Sequence, residues 1–304
     1  MPSPPLLLSA LHRRRSLASP ADGPTTAYRL LDGNGDGWPG VEIDSYGGHW
    51  IVQTRDLPFP DSLRDLPPEL CRSLWWKRLD QQDKQAPQCL AGSPPPGPFP
   101  VRELGLSYEI DLAAGYSQGL FLDQRPQRDR LRQRLLPGQR LLNLFAYTGA
   151  FSVAAAAQGA IATSVDLSRP YLDWARRNFT LNGFDPDAHF FCRGDSFAWL
   201  RRFAKTGRTW DAIVLDPPTF SRNADGALFR LEHDLPELIA LCLRVLAPGG
   251  WLLASTNHRG LSPARFRSLV EQGAPPGRLR SLAPGTMPPD FTDAPYLKSL
   301  WLET

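Results

Sequence analysis

The sequence has few cysteines and histidines, and they are not spaced as metal ligands are. The four cysteines, Cys71, Cys89, Cys192 and Cys242, form no Cys-x-x-Cys pair and have no histidine at ligand spacing. Neither a zinc site nor a disulfide framework is therefore indicated. A reducing compartment fits this cysteine usage, so we expect a cytoplasmic protein that holds no metal.

The sequence also lacks a long apolar run. Its first apolar stretch, Leu6-Leu7-Leu8, precedes the cluster Arg13-Arg14-Arg15 and is too short for a signal peptide or a membrane span. We therefore expect no membrane partner. The net charge of +3, with a sequence pI of about 8.7, is too small to establish a nucleic-acid partner but is compatible with one where arginines cluster.

Aromatic and apolar residues are present in numbers that support a sizeable core. The 304 residues are 42% hydrophobic and include nine Trp, fifteen Phe and seven Tyr, which argues against disorder. Length alone favours two domains. We predict a loose arm over residues 1–24, a small α+β domain with a linker over residues 25–100, and a larger α/β domain over residues 101–304.

The first of these domains begins with short strand patterns. Residues 28–31, 41–44 and 50–53 predict an antiparallel meander. The run 32–37 imitates the first half of a calcium loop, but Ile43 stands at the twelfth position, where a bidentate Glu is needed, so we predict a turn. A helix is predicted over residues 67–79 and a proline-rich linker over residues 86–100.

One stretch in the second half organises the rest of the chain. The apolar run from Arg140 to Phe145 breaks into a turn around Gly149, and an alanine-rich helix follows at once. Strands and helices then alternate to the end of the chain, which predicts a parallel sheet covered by helices on both faces. Ligands of such sheets bind beyond the carboxyl ends of the strands.

The turn and the next two strand ends predict a nucleoside cofactor. A dinucleotide needs G-x-G-x-x-G, whereas only Gly149 is present, so a cofactor without phosphates fits better. S-adenosylmethionine is such a cofactor, with its methionine end at the turn, its ribose on Asp166 and its adenine near Asp195. The candidate cofactor residues are Asn143, Phe145, Tyr147, Thr148, Gly149, Asp166, Leu167, Asp195 and Ser196, together with Gln124.

A second motif, Asp216-Pro217-Pro218-Thr219-Phe220, follows the apolar strand that ends at Leu215. Two prolines remove N–H donors and hold the chain extended, which leaves carboxylate and carbonyl acceptors facing a pocket. Phe220 can then stack on a planar target, although a place in the core is the alternative. Acceptors beside an aromatic ring suit methyl transfer to a base nitrogen, for which the base must leave its stack.

An aromatic loop and an arginine-rich helix precede the central stretch. Tyr116 and Phe121 are candidate walls of the substrate pocket. The predicted helix over residues 125–136 carries Arg125 and Arg128, for which we leave open a solvated face or contact with phosphates. Substrate-binding candidates are therefore Tyr116, Phe121, Arg125 and Arg128.

Five runs in the chain carry a family resemblance. They are Asp36 to Asp44, Gly119 to Arg125, Asn143 to Gly149, Asp216 to Ser221, and Ser255 to Gly260. Together they resemble the class I methyltransferases that modify 23S ribosomal RNA of the bacterial large subunit. The resemblance covers roughly residues 25–304 and implies a Rossmann-like class I methyltransferase sheet preceded by a small α+β domain, with S-adenosylmethionine as cofactor and 23S rRNA as partner.

Within that family the sequence is similar to the guanine-N7 branch. The 5-methylcytosine branch needs a cysteine nucleophile, but the strand-end segment reads Ser255-Thr256-Asn257-His258 and the segment after Leu215 also lacks cysteine. The resemblance thus implies direct transfer, with Asp216, Pro217, Pro218, Phe220 and Asn257 at the base. Many relatives begin with an RNA-binding PUA domain, for which residues 1–24 are too short. A protein or small-molecule substrate, and a non-catalytic RNA-binding relative, therefore remain alternatives.

Overall fold

The computed structural model describes residues 4–18, 24–64, 66–67, 69–80, 86–115, 117–222 and 228–304. The chain forms two units. The first contains Met1–Arg125 and Met287–Pro295, and the second contains Pro126–Thr286 and Tyr296–Thr304.

The first unit is built around a five-stranded sheet of order β1-β2-β3-β4-β5, with the β6-β7 hairpin beside it. Its elements are α1 (Pro4–Arg14), β1 (Ala27–Asp32), β2 (Val41–Tyr46), β3 (His49–Thr54), β4 (Ser73–Arg78), β5 (Gln88–Gly92), β6 (Phe99–Glu103) and β7 (Leu106–Ile110). The predicted meander is confirmed by the antiparallel pairs of β1, β2 and β3.

Two predictions in this unit are wrong. The predicted helix over residues 67–79 contains strand β4, in which consecutive tryptophans favour an extended chain and β3 supplies a parallel partner. The predicted linker over residues 86–100 contains β5. The unit also continues past residue 100, because the β6-β7 hairpin is bonded to the strand before it: Thr26 N donates to Arg102 O over 2.8 Å.

The predicted loose arm is wrong for residues 4–18, which form α1 and a short 3-10 helix. Leu7 and Ala10 lie one helical turn apart and are 4% and 0% exposed, so one face of α1 belongs to the core. Arg14 adds a buried ion pair to Asp36, with Nη2 to Oδ2 at 2.5 Å. The remaining residues of the arm, 1–3 and 19–23, lie outside the described residues.

The second unit is a seven-stranded sheet with helices on its faces. Its elements, in chain order, are α2 (Arg125–Arg134, whose first residue falls in the first unit), β8 (Arg140–Leu144), α3 (Ala150–Ala156), β9 (Ile161–Asp166), α4 (Arg169–Leu181), β10 (Phe190–Arg193), α5 (Ser196–Lys205), β11 (Trp210–Leu215), β12 (Phe220–Arg222), β13 (Leu228–Arg230), α6 (Leu231–Val245), β14 (Leu246–Thr256), α7 (Pro263–Gly273), β15 (Ser281–Pro284) and β16 (Lys298–Glu303).

The sheet order is β10-β9-β8-β11-β14-β16-β15. The five strands from β10 to β14 are parallel, and β16 and β15 close the sheet antiparallel. The order reverses between β8 and β11, which is where parallel sheets of this kind bind ligands. The predicted α/β sheet is confirmed, and its core contains side chains from both faces, among them Leu142, Ile213 and Leu238.

Candidate active site at the carboxyl edge of the second sheet

The parallel strands of the second unit bring the predicted cofactor and base residues to one edge. In register, Leu144 lies beside both Val165 of β9 and Leu215 of β11, and Leu215 lies beside Ala254 of β14. The residues that follow these positions therefore emerge together. This edge carries the turn after β8, the acid that ends β9, and the motif that begins at Asp216.

The turn after β8 has an unusual backbone. Phe145, Tyr147 and Gly149 have φ of 56°, 50° and 74°, so every second residue is in the left-handed region, which a non-glycine residue rarely adopts. A side-chain carbon at Gly149 would lie 2.7 Å from the Ala175 Cβ, so α4 leaves no room for one. Strain of this kind persists where the surrounding structure enforces it, commonly at ligand sites.

Asp166 is held in place by that same turn. Tyr147 N donates to Oδ2 over 2.9 Å and Ser168 N donates to Oδ1 over 2.8 Å. Burial raises the pKa of the Asp166 carboxyl above its ordinary value of 3.8, and the two N–H groups oppose this rise without cancelling it. At neutral pH the result is an oriented carboxylate of the type that accepts ribose hydroxyl groups.

Buried amides support the turn from behind. Asn143 is 2% exposed, and its Nδ2 donates over 3.0 Å to the hydroxyl of Ser152, which in turn bonds Ser164 over 2.8 Å. Asn178, a residue that the sequence did not single out, donates over 2.9 Å to Thr148 O. Its role depends on α4 packing against a loop thirty positions earlier in the chain, which no local pattern predicts.

The third predicted strand end doubles as a helix cap. Asp195 precedes α5, and its Oδ1 accepts from Ala198 N over 3.0 Å. Ser196 is buried, whereas Leu167, after β9, is half-buried. Asp195 is therefore fixed in position next to the carboxyl end of β10, and a cofactor role for it remains a prediction.

The motif after β11 is positioned by the neighbouring strand. Ser255 of β14 is fully buried, and its Oγ donates to Asp216 Oδ1 over 2.6 Å. Sequence reasoning gave no role to Ser255, although its run was part of the resemblance. Pro217 is buried, Pro218 is half-buried, and Phe220 is 55% exposed at the start of β12. The alternative that places Phe220 in the core is therefore wrong.

The loop after β14 presents Asn257 at the same edge. Asn257 is exposed, and the next residue is anchored twice: His258 N donates to Thr256 Oγ1 over 3.2 Å, and Lys298 Nζ donates to His258 O over 2.6 Å. Lys298 is 8% exposed, and burial lowers the pKa of its ammonium group. The buried lysine is a second residue that the sequence did not reveal, because it contacts a loop forty positions away.

Four other predicted residues lie in the first unit. Tyr116 is outside the described residues. Phe121 is half-buried, and Gln124 and Arg125 are buried, with Arg125 Nη2 donating to the carboxylate of Asp290. Asp290 also accepts from Arg29 N over 2.8 Å, so Arg125 forms part of the ionic network that holds the segment Met287–Pro295 in this unit.

The arginines of α2 follow neither of the two arrangements left open by the sequence. Arg128 is 2% exposed with its guanidinium 5.8 Å from the centre of the Phe151 ring, so the predicted contact with RNA phosphates is wrong for Arg128. Arg130 lies 4.6 Å from the centre of the Trp301 ring, and Arg134 pairs with Glu303 over 2.7 Å. These cations stack on rings and pair with acids within the second unit.

The described residues contain no group of three or more His, Cys, Asp and Glu side chains that could hold a metal ion. Over the same residues, no helix is both long and apolar enough to cross a bilayer. All four cysteines are free thiols.

Comparison with known proteins assigns this edge to a family. A model of the S-adenosylmethionine-dependent methyltransferases matches residues 72–301. The chain belongs to this methyltransferase family. In a crystal structure, a methyltransferase complexed with SAH is similar to this chain with a TM-score of 0.87 and 30% identity, over 99% of this chain and 80% of the other. The predicted class I methyltransferase fold and S-adenosylmethionine as cofactor are thereby confirmed.

Two methyltransferase relatives have names that specify a substrate. The name of Bacillus subtilis YwbD describes a ribosomal RNA large subunit methyltransferase; it is 34% identical over 275 residues, which are 87% of this chain and 69% of the relative. Ribosomal RNA large subunit methyltransferase K/L of Pseudomonas syringae is 49% identical over 162 residues, which are 52% of this chain and 21% of the relative. The predicted resemblance to rRNA methyltransferases is confirmed.

The residues of the second unit fit the methyltransferase cofactor. The backbone of the strained turn offers polar groups without the glycines that a pyrophosphate needs. The oriented Asp166 carboxylate matches a ribose diol, and Tyr147, with its ring 4.5 Å from that of Tyr171, adds an apolar wall.

Proposed function

We propose that the chain is a methyltransferase of the large-subunit ribosomal RNA that acts directly on guanine N7. The observation that carries the proposal is the pairing of a fixed acceptor with an exposed aromatic ring at the carboxyl end of β11. Asp216 is oriented by Ser255, and Phe220 is exposed four residues later. The names of the relatives support RNA as the substrate class.

Residues of the second unit would hold the cofactor. The methionine end would lie against the turn from Phe145 to Gly149, the ribose on Asp166 and the adenine near Leu167 and Asp195. When bound, S-adenosylmethionine supplies an electrophilic methyl carbon whose bond to sulfur breaks as a nitrogen lone pair attacks. The tasks left to the chain are to bind the cofactor, orient the base and exclude water.

The base would be held by the Asp216 motif and the loop after β14. Phe220 offers a ring on which a flipped base can stack, and the carbonyls of Pro217 and Pro218 add acceptors. Asn257, exposed on its anchored loop, would bond the base edge. Attack by N7 leaves a positive charge on the ring and releases no proton, so the Asp216 carboxylate would stabilise the charge that develops.

The cysteines support this direct route over a covalent one. Covalent attack on cytosine needs a thiolate. Cys242 is fully buried in α6, and Cys192 is half-buried in β10, where burial raises the pKa of its thiol. Cys71 and Cys89 belong to the first unit. Ser255 and Asn257 occupy the end of β14, where the nucleophile of the 5-methylcytosine branch would be expected.

The test is transfer of a tritiated methyl group from S-adenosylmethionine to protein-free 23S rRNA. We expect transfer by the wild type. Asp216→Ala and Phe220→Ala should lower it about 100-fold, because misplacing the base is costly. Both variants should still bind S-adenosylmethionine normally, and Leu181→Ala, which removes an exposed apolar side chain at the end of α4, should be as active as the wild type. A wild-type protein that binds the cofactor but transfers nothing to RNA would refute the proposed substrate.

A further inference from the structure

Positive charge is concentrated around α5 in the second unit. The segment from residue 193 to 208 holds five cationic side chains and one carboxylate, Asp195, whereas the whole chain has a net charge of only +3. We propose that Arg193, Arg202, Lys205 and Arg208, here called the α5 basic surface, bind the phosphates of the substrate RNA. This inference rests on the proposed function.

The members of the α5 basic surface are held next to one another. Trp199 Nε1 donates to Arg193 O over 3.2 Å, and the Arg202 guanidinium lies 5.1 Å from the centre of the Trp199 ring. Arg208 N donates to Phe203 O over 3.1 Å, which fixes the turn after α5. Arg202 and Arg208 both lie close enough to Cys192 of β10 to oppose the effect of burial on the pKa of its thiol.

These cations are available to a partner. All four side chains are exposed, and none forms an ion pair with a carboxylate of the described residues. Arg201, by contrast, points its Nη2 at Glu237 Oε1 over 2.6 Å and is neutralised. The α5 basic surface therefore excludes the one cation of the segment that already has an acidic partner.

The stability of α5 does not account for this arrangement. Arg202 and Lys205 lie in the last turn of the helix, where cations offset the helix dipole. Arg193 precedes the helix and Arg208 follows it, so the dipole does not explain them. Repulsion among four neighbouring cations disfavours the compact state, and an anionic partner relieves it.

RNA fits the chemistry of the surface better than other polyanions do. Its cations alternate with aromatic rings, since Phe190 of β10 is 51% exposed and Phe197 and Trp199 are half-buried. Phosphates beside bases that can stack are a property of RNA. The position also fits, because Arg193 is paired in register with Asp166, so the surface begins at the edge that carries the candidate active site.

The experiment compares two triple variants of equal charge. The test variant combines Arg202→Gln, Lys205→Gln and Arg208→Gln. The control combines Arg244→Gln, Arg265→Gln and Arg280→Gln, which removes three exposed cations of α6, α7 and the turn before β15. Binding of protein-free 23S rRNA is measured between about 50 and 200 mM salt, where each phosphate contact contributes about 0.7 to 0.9 to the logarithmic salt slope.

We expect the test variant to bind RNA at least tenfold more weakly and to lose about 2 from the salt slope, while the control keeps the slope of the wild type. S-adenosylmethionine binding should be unchanged in both variants, which shows that they fold. An unchanged slope in the test variant, or an equal loss in the control, would overturn the α5 basic surface and leave the proposed function standing.

Two further outcomes separate the remaining cases. A wild-type protein that does not bind 23S rRNA would overturn the proposed function together with this inference. Vesicles of phosphatidylserine serve as the other polyanion. If the test variant lost binding to vesicles but kept RNA binding, the surface would be a membrane contact, and the RNA assignment would be wrong.

Discussion

Two backbone donors hold Asp166 at the end of β9, and burial raises the pKa of its carboxyl. The charged form is therefore lost at a higher pH than in an ordinary aspartate. Since only the ionised group offers both oxygens to a ribose, cofactor binding should weaken as the pH falls through the raised pKa. The direction is opposite to that expected for a carboxylate stabilised by a nearby cation.

We predict that Asp166→Asn binds S-adenosylmethionine at least about tenfold more weakly at neutral pH, because a hydrogen bond to a charged group contributes roughly 1.5–3 kcal/mol. Calorimetry from neutral to acidic pH should show falling affinity for the wild type and a nearly flat profile for the variant. The control is Asp173→Asn, which removes an exposed carboxylate of α4 that pairs with Arg169. A variant that keeps the acid-dependent loss would show that another group is responsible.

Ser255 acts on Asp216 and not on the substrate, so it is a positioning residue. We predict that Ser255→Ala lowers the rate of methyl transfer about tenfold or more by releasing the carboxylate from its orientation. Binding of S-adenosylmethionine should be unchanged.

The matched control for Ser255 is Ser299→Ala, since Ser299 lies directly opposite Ser255 on β16. Steady-state kinetics should show the Ser255→Ala defect mainly in kcat, with little change in the KM for the cofactor. An equal defect in Ser299→Ala would mean that packing of the strands, and not the Asp216 contact, is being measured.

At the scale of elements, α1 depends on one buried ion pair. Arg14 Nη1 and Nη2 donate to the two oxygens of Asp36 over 2.8 and 2.5 Å. Burial by itself would raise the pKa of the Asp36 carboxyl, but the hydrogen bonds from Arg14 and Arg13 outweigh it and hold the pKa below its ordinary value of 3.8. The stabilisation is therefore present above the unfolded-state pKa and is lost as the pH falls through the lower folded-state pKa.

We predict that Asp36→Asn lowers the free energy of unfolding by about 3 kcal/mol at neutral pH, because it leaves the Arg14 charge buried without its partner. Urea unfolding monitored by tryptophan fluorescence measures this loss, which should shrink in acid. Asp61→Asn is the control, since Asp61 is 85% exposed in its pair with Arg64 and should contribute less than about 1 kcal/mol. Equal losses in the two variants would contradict the role given to α1.

Some elements could be predicted from the sequence because their determinants are local. The capping Ser168 and the early Pro170 marked the start of α4, and Asn182 with Gly183 marked its end. Strand β4 could not be predicted, since its extended form depends on pairing with β3 and β5. The role of Ser255 was hidden for a similar reason: its contact with Asp216 depends on the register of β11 and β14, which shifts between Trp210 and Ala212.

At the scale of the whole chain, the two units draw on different parts of the sequence. The second unit contains the cofactor turn, Asp166, Asp216 and Asn257, all on one sheet edge that strand alternation predicts. The first unit takes in the distant segment Met287–Pro295 through Asp290 and Asp293, which accept or donate hydrogen bonds around Arg29 and Asp32. No pattern within that segment predicts this, because its partners lie more than 250 positions away.

The most direct test of the central claim is the identity of the methylated nucleoside. Protein-free 23S rRNA is treated with the purified protein and S-adenosylmethionine carrying an isotopically labelled methyl group, then digested and analysed by mass spectrometry. Labelled 7-methylguanosine is the predicted product, since Asp216 and Phe220 hold a base whose ring nitrogen needs no covalent activation. Labelled 5-methylcytidine would contradict the account, because it would require a thiolate where the chain has Ser255 and Asn257.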